Sequence, residues 1–222
     1  MCCSEAVESL LASIGSQGRA ALLRAAVRRR FGRGEIVFHE GDPGDALHIV
    51  TDGVFLARST SVRGEVVAVN VHREGAVFGE LALLTVSDRR SATVVALRLG
   101  STLMITRDDF EDLRARDPHL DRFLVSVLAQ RVRGLNEQLV ELLFTPVETR
   151  VYRRLLVFAE AVPGDAGTGW VDLSQAELAS LAGTTRPTAN RALRRAERTG
   201  LVELARGRIR VVDVAGLRRR AR

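Results

Sequence analysis

Residues 77–96 carry charged side chains inside an otherwise apolar stretch. The segment reads VFGELALLTVSDRRSATVVA, and Glu80, Arg90 and Ser91 stand between runs that are typical of buried strands or tight turns. A half-buried guanidinium and a hydroxyl can hold an anionic phosphate, and a carboxylate can accept a hydrogen bond from a sugar hydroxyl. Glu80 and Arg90 could instead pair only with each other. These residues are therefore compatible with two interpretations: a pocket for a phosphorylated ligand, or an internal ion pair.

A second group of charged residues lies within two short helical patterns near the carboxyl end of the chain. Ser174 and Glu177 form a capping-box pattern that opens the first helix, and Gly183 suits its end. Thr185 can cap the second helix, and Pro187 fits its first turn. The second helix would bury alanines and a leucine, and would leave six polar residues outside: Arg186, Asn190, Arg191, Arg194, Arg195 and Arg198.

Two helices joined by a glycine-containing turn, with arginines on the second, indicate a helix-turn-helix. The runs LVEL and RIRVV, separated by Arg206-Gly207, predict a two-stranded wing after it. A small helical bundle with a solvated arginine face is the alternative interpretation.

The charge distribution agrees with a polyanion partner for this end of the chain. Up to Phe144 there are 18 arginines and 19 acidic residues, a net charge of −1, and after it 15 arginines and 8 acidic residues, a net charge of +7. Such asymmetry favours contact with nucleic acid. The segment GLRRRAR at 216–222 contributes part of the excess and could be a solvated basic tail.

Upstream, the hydrophobic period changes from that of helices to that of strands. Residues 4–26 predict one or two short amphipathic helices, and residues 28–106 show short alternating runs. The runs are punctuated by Gly-Asp-Pro-Gly, Asp52-Gly53 and Arg63-Gly64, which are turn signals. This pattern predicts a β-roll or jelly roll (a double-stranded β-helix) that encloses a small interior.

A long helix is predicted over residues 119–144, after a short acidic helix that stops before Pro118. Leu128, Leu135 and Leu142 recur every seven residues along it, as in a two-stranded coiled coil, although a helix lying on a core would also fit. Pro146 predicts a joint, and a further helix at 147–161 and a flexible loop at 163–169 should follow. The fold class is thus α+β, with domains at 1–118 and 146–222 and a dimerisation helix at 119–145.

Composition excludes several other classes. With 222 residues, 46% hydrophobic and 27% charged, the chain suits one large or two small globular domains. No apolar run approaches the roughly 20 residues of a membrane span, and no signal peptide is apparent, so we expect a cytoplasmic protein without a membrane partner. The only cysteines, Cys2 and Cys3, cannot form a four-cysteine cluster.

Gly79-Glu80-Leu81, followed at a fixed spacing by Arg90-Ser91, resembles the phosphate-binding cassette of the Crp–Fnr family of transcriptional regulators. The order β-roll, long helix, winged helix-turn-helix extends the resemblance over nearly the whole chain. It implies a homodimer that binds operator DNA under the control of a cyclic nucleotide, cyclic AMP with cyclic GMP as the alternative, and RNA polymerase as a further partner. No metal is implied.

The resemblance also implies the roles of further residues. On the dimer helix it places Arg131 near the phosphate, and Leu135 and Asn136 near the base. Leu135 departs from the family pattern because it cannot hydrogen-bond the base edge. On the reading helix the family's DNA-contacting positions fall on Thr185, Arg186, Pro187, Thr188 and Arg191.

Pro187 cannot accept a hydrogen bond from cytosine, as a glutamate there would. We therefore expect an altered preference at one base pair of each half-site.

The same scaffold is compatible with other functions. A haem sensor would need one of four histidines, His39, His48, His72 and His119, as axial ligand. A DNA binder with no ligand response would have a vestigial roll. An enzyme is disfavoured, because the sequence has no glycine-rich phosphate loop, metal-spaced residue set or nucleophile with a base.

Overall fold

The computed structural model describes residues 5–11, 14–62, 64, 66–85, 88–159, 170–171 and 173–222. Three features discussed above lie outside the described residues: the cysteine pair Cys2 and Cys3, Arg63 of one turn, and the loop 163–169.

The chain divides into two compact units. One consists of Met1–Gly64 and Asn70–Gly134, and the other of Glu65–Val69 and Leu135–Arg222. The finer division into domains 1–118, 119–145 and 146–222 stays a prediction.

Two antiparallel sheets form the amino-terminal roll, as the alternating runs predicted. Their strands are β1 (Val27–Phe31), β2 (Ile36–Phe38), β3 (Ala46–Asp52), β4 (Phe55–Thr60), β5 (Val66–His72), β6 (Val77–Phe78), β7 (Thr93–Ala96) and β8 (Gly100–Thr106). One sheet has the order β1-β8-β3-β6 and the other the order β2-β7-β4-β5.

The interior of the roll is aromatic. Phe31, Phe55 and Phe78 are buried together with Val50 and Val94, which come from both sheets. Each such side chain contributes about 1.5–3 kcal/mol when it is removed from water. Since Phe78 directly precedes Gly79, this core lies next to the charged segment.

Helices cover the first sheet. They are α1 (Glu5–Leu11), α2 (Ser16–Ala25), α4 (Arg107–Arg116) and the beginning of α5 (His119–Phe144), which share a core with Ile49 and Leu103 of the sheet. The two helices predicted within residues 4–26, the helix before Pro118 and the long helix are confirmed. One further helix, α3 (Glu80–Leu84), occupies a segment for which a strand or a turn was predicted.

The second unit contains the helix-turn-helix. Its elements after α5 are α6 (Val147–Ala159), β9 (Trp170–Val171), α7 (Gln175–Leu181), α8 (Arg186–Arg198), β10 (Val202–Ala205), β11 (Arg208–Val211) and α9 (Val214–Arg220). The wing is a three-stranded sheet of order β10-β11-β9, so the two-stranded prediction was incomplete. The alternative of a solvated basic tail at 216–222 is not what the structure shows, because Val214–Arg220 form α9, which Asp213 caps at the amide of Gly216.

Candidate functional site

A left-handed glycine leads into the charged segment. Gly79 has φ +83°, and α3 begins at the next residue, Glu80. A Cβ atom at Gly79 would lie 2.6 Å from Nη1 of Arg90 and 3.1 Å from the carbonyl oxygen of Ala46. Only glycine therefore combines this backbone conformation with the passage of the Arg90 side chain.

Arg90 is buried beneath this turn, with 3% of its surface exposed. Its Nη1 donates to the carbonyl oxygens of Ala46 (2.6 Å) and Gly79 (3.2 Å), and its Nη2 to Oδ1 of Asp45 (2.9 Å). The guanidinium carbon lies 4.1 Å from the ring centre of Phe38. Its Nε is buried and has no hydrogen-bond partner among the described residues.

Burial lowers the pKa of Arg90, and the charge of Asp45 acts against this effect. Because the ordinary pKa of arginine is so high, the guanidinium stays charged. The structure thus holds a buried cation with one donor that is not used.

Glu80 pairs with Arg131 and not with Arg90. Nη1 of Arg131 donates to Oε1 of Glu80 over 3.0 Å. Oε2 of Glu80 is buried and has no partner in the part of the chain that the structure describes. Burial raises the pKa of Glu80, and the charge of Arg131 opposes the shift. The internal ion pair between Glu80 and Arg90, which the sequence left open, is not formed.

These groups line one pocket of the roll. Its polar lining consists of Glu80, Arg90, Ser91, Arg131 and His72, while the rest is mostly apolar: Phe38, Ala57, Phe78, Gly79, Leu81, Ala82, Ala92 and Val94. Ser91 is exposed. The structure thus brings together six of the eight residues predicted for the ligand site. The other two, Leu135 and Asn136, are exposed on α5 and belong to the second unit.

Arg107 supports the pocket although sequence reasoning did not single it out. Its Nη2 donates to the carbonyl oxygens of Gly44 and Ala82, each over 2.7 Å. It thereby ties α3 to the loop that carries Asp45, the partner of Arg90. In the sequence Arg107 is only the first residue of a surface helix, so no local signal marks it.

Replacing Arg107 with alanine should loosen α3. We expect a loss of about 2–3 kcal/mol in the free energy of unfolding, because two carbonyl oxygens lose a charged donor. Amide hydrogen exchange in peptides covering residues 79–85 should become faster. Arg116→Ala is the matched control, since the Arg116 side chain on α4 is 77% exposed and its only ion pair with a described residue is with Asp112. Equal exchange in the two variants would contradict this role for Arg107.

The helix-turn-helix has the predicted start and turn. Ser174 and Glu177 form both hydrogen bonds of the capping box. Gly183 has φ +58°, and a Cβ atom there would lie 2.0 Å from Cδ2 of Leu142. The tight contact with the end of α5 therefore requires glycine.

The second helix, α8, presents most of its arginines to solvent as predicted. It buries Ala189, Ala192, Leu193 and Ala196. Two details differ from prediction. Thr185 is the N-cap residue but its hydroxyl donates to Oγ1 of Thr188 and does not cap the helix. Asn190 is half-buried, because its Nδ2 donates to Oε1 of Gln175 over 2.7 Å.

The arginines of α8 fall into two groups by their partners. Arg194 pairs with Glu197 and Arg195 with Glu148, each over 2.8 Å. Arg191 donates to the neutral hydroxyl of Thr188 over 3.0 Å. Within the described ranges no carboxylate pairs with Arg186, Arg191 or Arg198. Their charges are therefore available to an incoming polyanion.

The wing carries further cationic groups. Gly207, with φ +74°, makes the turn between β10 and β11. Beyond it, the guanidinium carbon of Arg208 lies 4.6 Å from the ring centre of Trp170 on β9. This stacking fixes the position of one arginine on the three-stranded sheet.

Comparison with known domain families identifies both halves of the chain. Residues 28–117 match the cyclic nucleotide-binding domain, and residues 149–220 match the Crp-like helix-turn-helix domain. The combination of the two is that of the transcriptional regulators reported below, whereas a lysophospholipase of Aspergillus oryzae matches only 104 residues, 47% of this chain. No helix among the described residues has the length and apolar character that a bilayer crossing needs.

Similar proteins cover most of the chain. The CRP-like cAMP-activated global transcriptional regulator of Mycobacterium tuberculosis is 33% identical over 195 residues, which is 86% of this chain and 87% of that protein. The cyclic AMP receptor protein of Thermus thermophilus is 32% identical over 188 residues, 85% of each chain. The crystal structure of the Thermus thermophilus catabolite activator protein has 30% identity and a TM-score of 0.53, and the match covers 96% of this chain and 97% of that one.

Proposed function

The chain belongs to the Crp–Fnr family of transcriptional regulators, and we propose that it is a homodimer whose operator binding is controlled by cyclic AMP. One observation carries the proposal. Arg90 and Glu80 are both buried at one pocket, and each keeps a polar atom, Nε or Oε2, without a partner among the described residues. Buried polar atoms are normally satisfied, so such a pair indicates a ligand with a matching donor and acceptor.

A cyclic nucleotide has that complement of groups. Its phosphodiester is a single negative charge, which Arg90 can bind with charge-assisted hydrogen bonds and Ser91 with its hydroxyl. Its ribose 2′-hydroxyl can donate to Glu80. Gly79 and Leu81 hold the turn around the phosphate, and Arg131, which already contacts Glu80, adds a second cation near it.

Cyclic AMP is the proposed effector because the two relatives above are described as activated by, or receptors for, that nucleotide. Asn136 can hydrogen-bond an adenine edge where Leu135 cannot. Cyclic GMP is the competing ligand, and it is compared directly in the experiment below.

The reading helix supplies the DNA contacts in this proposal. Arg186 and Arg191 are exposed, have no carboxylate partner in the described structure, and can each bind a guanine edge or a phosphate. Thr185, Pro187 and Thr188 occupy the first turn of the same helix. Half-sites about 34 Å apart would match two reading helices of a symmetric dimer.

The long helix offers a surface for the second copy. Val132, Leu135, Leu139 and Leu142 are 57%, 55%, 56% and 44% exposed in the single chain. Large apolar side chains at this spacing are what a two-stranded coiled coil buries. A dimer formed through α5 would cover them.

Ligand and DNA binding are coupled in this proposal through the end of that helix. A nucleotide that contacts both the roll and α5 would favour one arrangement of the helix pair, and residues 144–147 would pass it to the helix-turn-helix. Such coupling is reciprocal and typically amounts to about 1–3 kcal/mol. We place this action in the cytoplasm.

Saturating cyclic AMP should tighten operator binding by about 5- to 150-fold. The operator is a duplex selected by the protein from a random library, and affinity is measured by fluorescence anisotropy at fixed salt. Titration calorimetry with cyclic AMP and with cyclic GMP gives the two nucleotide affinities.

Three outcomes would contradict parts of the proposal. An operator affinity that does not change while cyclic AMP binds would indicate a constitutive DNA binder. A response to cyclic GMP alone would reassign the effector. Absence of heat with both nucleotides would remove the sensor function.

A further inference from the structure

His72 is the uncharged polar side chain in the buried wall of the pocket. It ends β5, lines the pocket with Phe38 and Phe78, and is 4% exposed. Its ring centre lies 5.2 Å from that of Phe78, at an interplanar angle of 43°. Among the described residues, neither ring nitrogen of His72 has a hydrogen-bond partner.

The imidazole of His72 is neutral near pH 7. Burial lowers the pKa of His72 to about 3, and the charge of Arg131 contributes to the shift. A neutral imidazole has one N–H donor and one nitrogen acceptor. The side chain can therefore both give and receive one hydrogen bond at the pocket.

The other buried histidine of the roll shows a different arrangement. His48 also contacts Phe78, with ring centres 5.0 Å apart, and burial also lowers its pKa to about 3. Its Nδ1, however, lies 3.0 Å from Oγ1 of Thr102, and the described lining of the pocket includes His72 but not His48. His48 thus has a hydrogen-bond partner inside the core through Nδ1, while the ring of His72 lines the pocket and can bind something there.

We propose that His72 is a specificity-determining residue, which hydrogen-bonds the nucleobase of the bound cyclic nucleotide. The inference rests on the function proposed above. In that function Arg90, Ser91 and Glu80 are engaged by the phosphate and the ribose. The rest of the lining consists of apolar side chains, His72, and Arg131, which pairs with Glu80.

A purine edge carries ring-nitrogen acceptors and, on adenine, an amino donor, and a neutral imidazole can meet either. This contact supplies from the roll the base hydrogen bond that Leu135 cannot make from α5.

The test measures nucleotide affinity by titration calorimetry with the whole 222-residue chain. His72→Leu should raise the dissociation constant for the preferred nucleotide by about three- to tenfold, the value of one hydrogen bond. It should also bring the ratio of the cyclic GMP and cyclic AMP constants closer to one. His72→Phe removes the same bond and keeps a ring against Phe78. If one of the two variants does not fold, the other still tests the contact.

Two further variants separate a base contact from a packing role. His72→Gln keeps a donor and an acceptor and should recover most of the affinity. His48→Leu removes the matched core histidine, and should lower the Tm while it changes both dissociation constants by less than about twofold.

The inference is overturned if His72→Leu and His72→Phe bind both nucleotides as the unmodified chain does, with the same ratio. That result is distinct from failure of the proposed function, in which the unmodified chain itself binds neither cyclic AMP nor cyclic GMP.

Discussion

Replacing Arg90 with alanine is expected to weaken cyclic AMP binding at least about 30-fold and to abolish the effect of the nucleotide on operator affinity. The phosphate would then enter a buried site whose nearest cation has been removed. Losing one partner of a buried, hydrogen-bonded charge pair costs about 2–5 kcal/mol.

The Arg90→Ala variant should remain folded, with only a small loss of stability. Asp45, the ion-pair partner of Arg90, has a side chain that is 85% exposed, so water can solvate its carboxylate once the guanidinium is gone. In the described part of the chain, only the carbonyl oxygens of Ala46 and Gly79 lose a buried donor. The loss in binding should therefore be much larger than the loss in stability, which a thermal melt without nucleotide would measure.

The neighbouring arginine provides the matched control. Arg89 has a side chain that is 61% exposed, and its Nη1 donates to the carbonyl oxygen of Gly41 over 3.2 Å. Arg89→Ala should leave cyclic AMP affinity and the operator response unchanged. A Kd for Arg90→Ala within threefold of that of Arg89→Ala, in calorimetry at the same pH and about 0.15 M salt, would remove Arg90 from the phosphate site.

The charged residues of the pocket could be predicted from the sequence, but which residues hydrogen-bond to them could not. Glu80 and Arg90 stood out because charges inside an apolar run need partners. The partner of Glu80 is Arg131, 51 residues later in the chain, and the partner of Arg90 is Asp45, 45 residues earlier. Pairings over such distances follow from strand register and helix placement, which a local pattern does not encode. Arg107 was missed for the same reason.

Local signals were sufficient where local hydrogen bonds decide the structure. The capping box of α7 and the proline in the first turn of α8 were confirmed, because each involves residues within one helical turn. The prediction of the wing was incomplete because β9 is only two residues long and pairs with β11, which is about forty residues later in the chain. The helix α9 has little local signal, because its arginines stand next to a buried face of only two residues, Gly216 and Leu217.

Arg150 joins the ends of two helices in the second unit. It is 7% exposed, and its guanidinium donates to four carbonyl oxygens: Leu142 (3.1 Å), Thr145 (2.8 Å), Ala182 (2.9 Å) and Gly183 (3.1 Å). The first two lie at the end of α5, and the other two follow the end of α7. Terminal carbonyls have no partner within their helix, and the negative end of the helix dipole favours a cation. One buried side chain thus fixes α5 to the turn of the helix-turn-helix.

Replacing Arg150 with methionine should reduce the free energy of unfolding of the second unit by about 3–5 kcal/mol, because four carbonyl oxygens lose a charged donor at a buried position. Urea unfolding followed by tryptophan fluorescence measures this unit directly, since Trp170 on β9 is the only tryptophan of the chain. Arg195→Met is the control. Arg195 has a side chain that is 60% exposed and pairs with Glu148, so its loss should cost less than about 1 kcal/mol.

The same variant tests how the signal leaves the long helix. Arg150 lies outside the nucleotide pocket, so under conditions where Arg150→Met is folded it should bind cyclic AMP with unchanged affinity. Its operator affinity should respond less to the nucleotide, because the end of α5 no longer holds the turn at Gly183. If the response stays complete while stability falls, the coupling passes through other contacts of α5 and α6, such as the ion pairs that Arg153 and Arg154 make with Glu141.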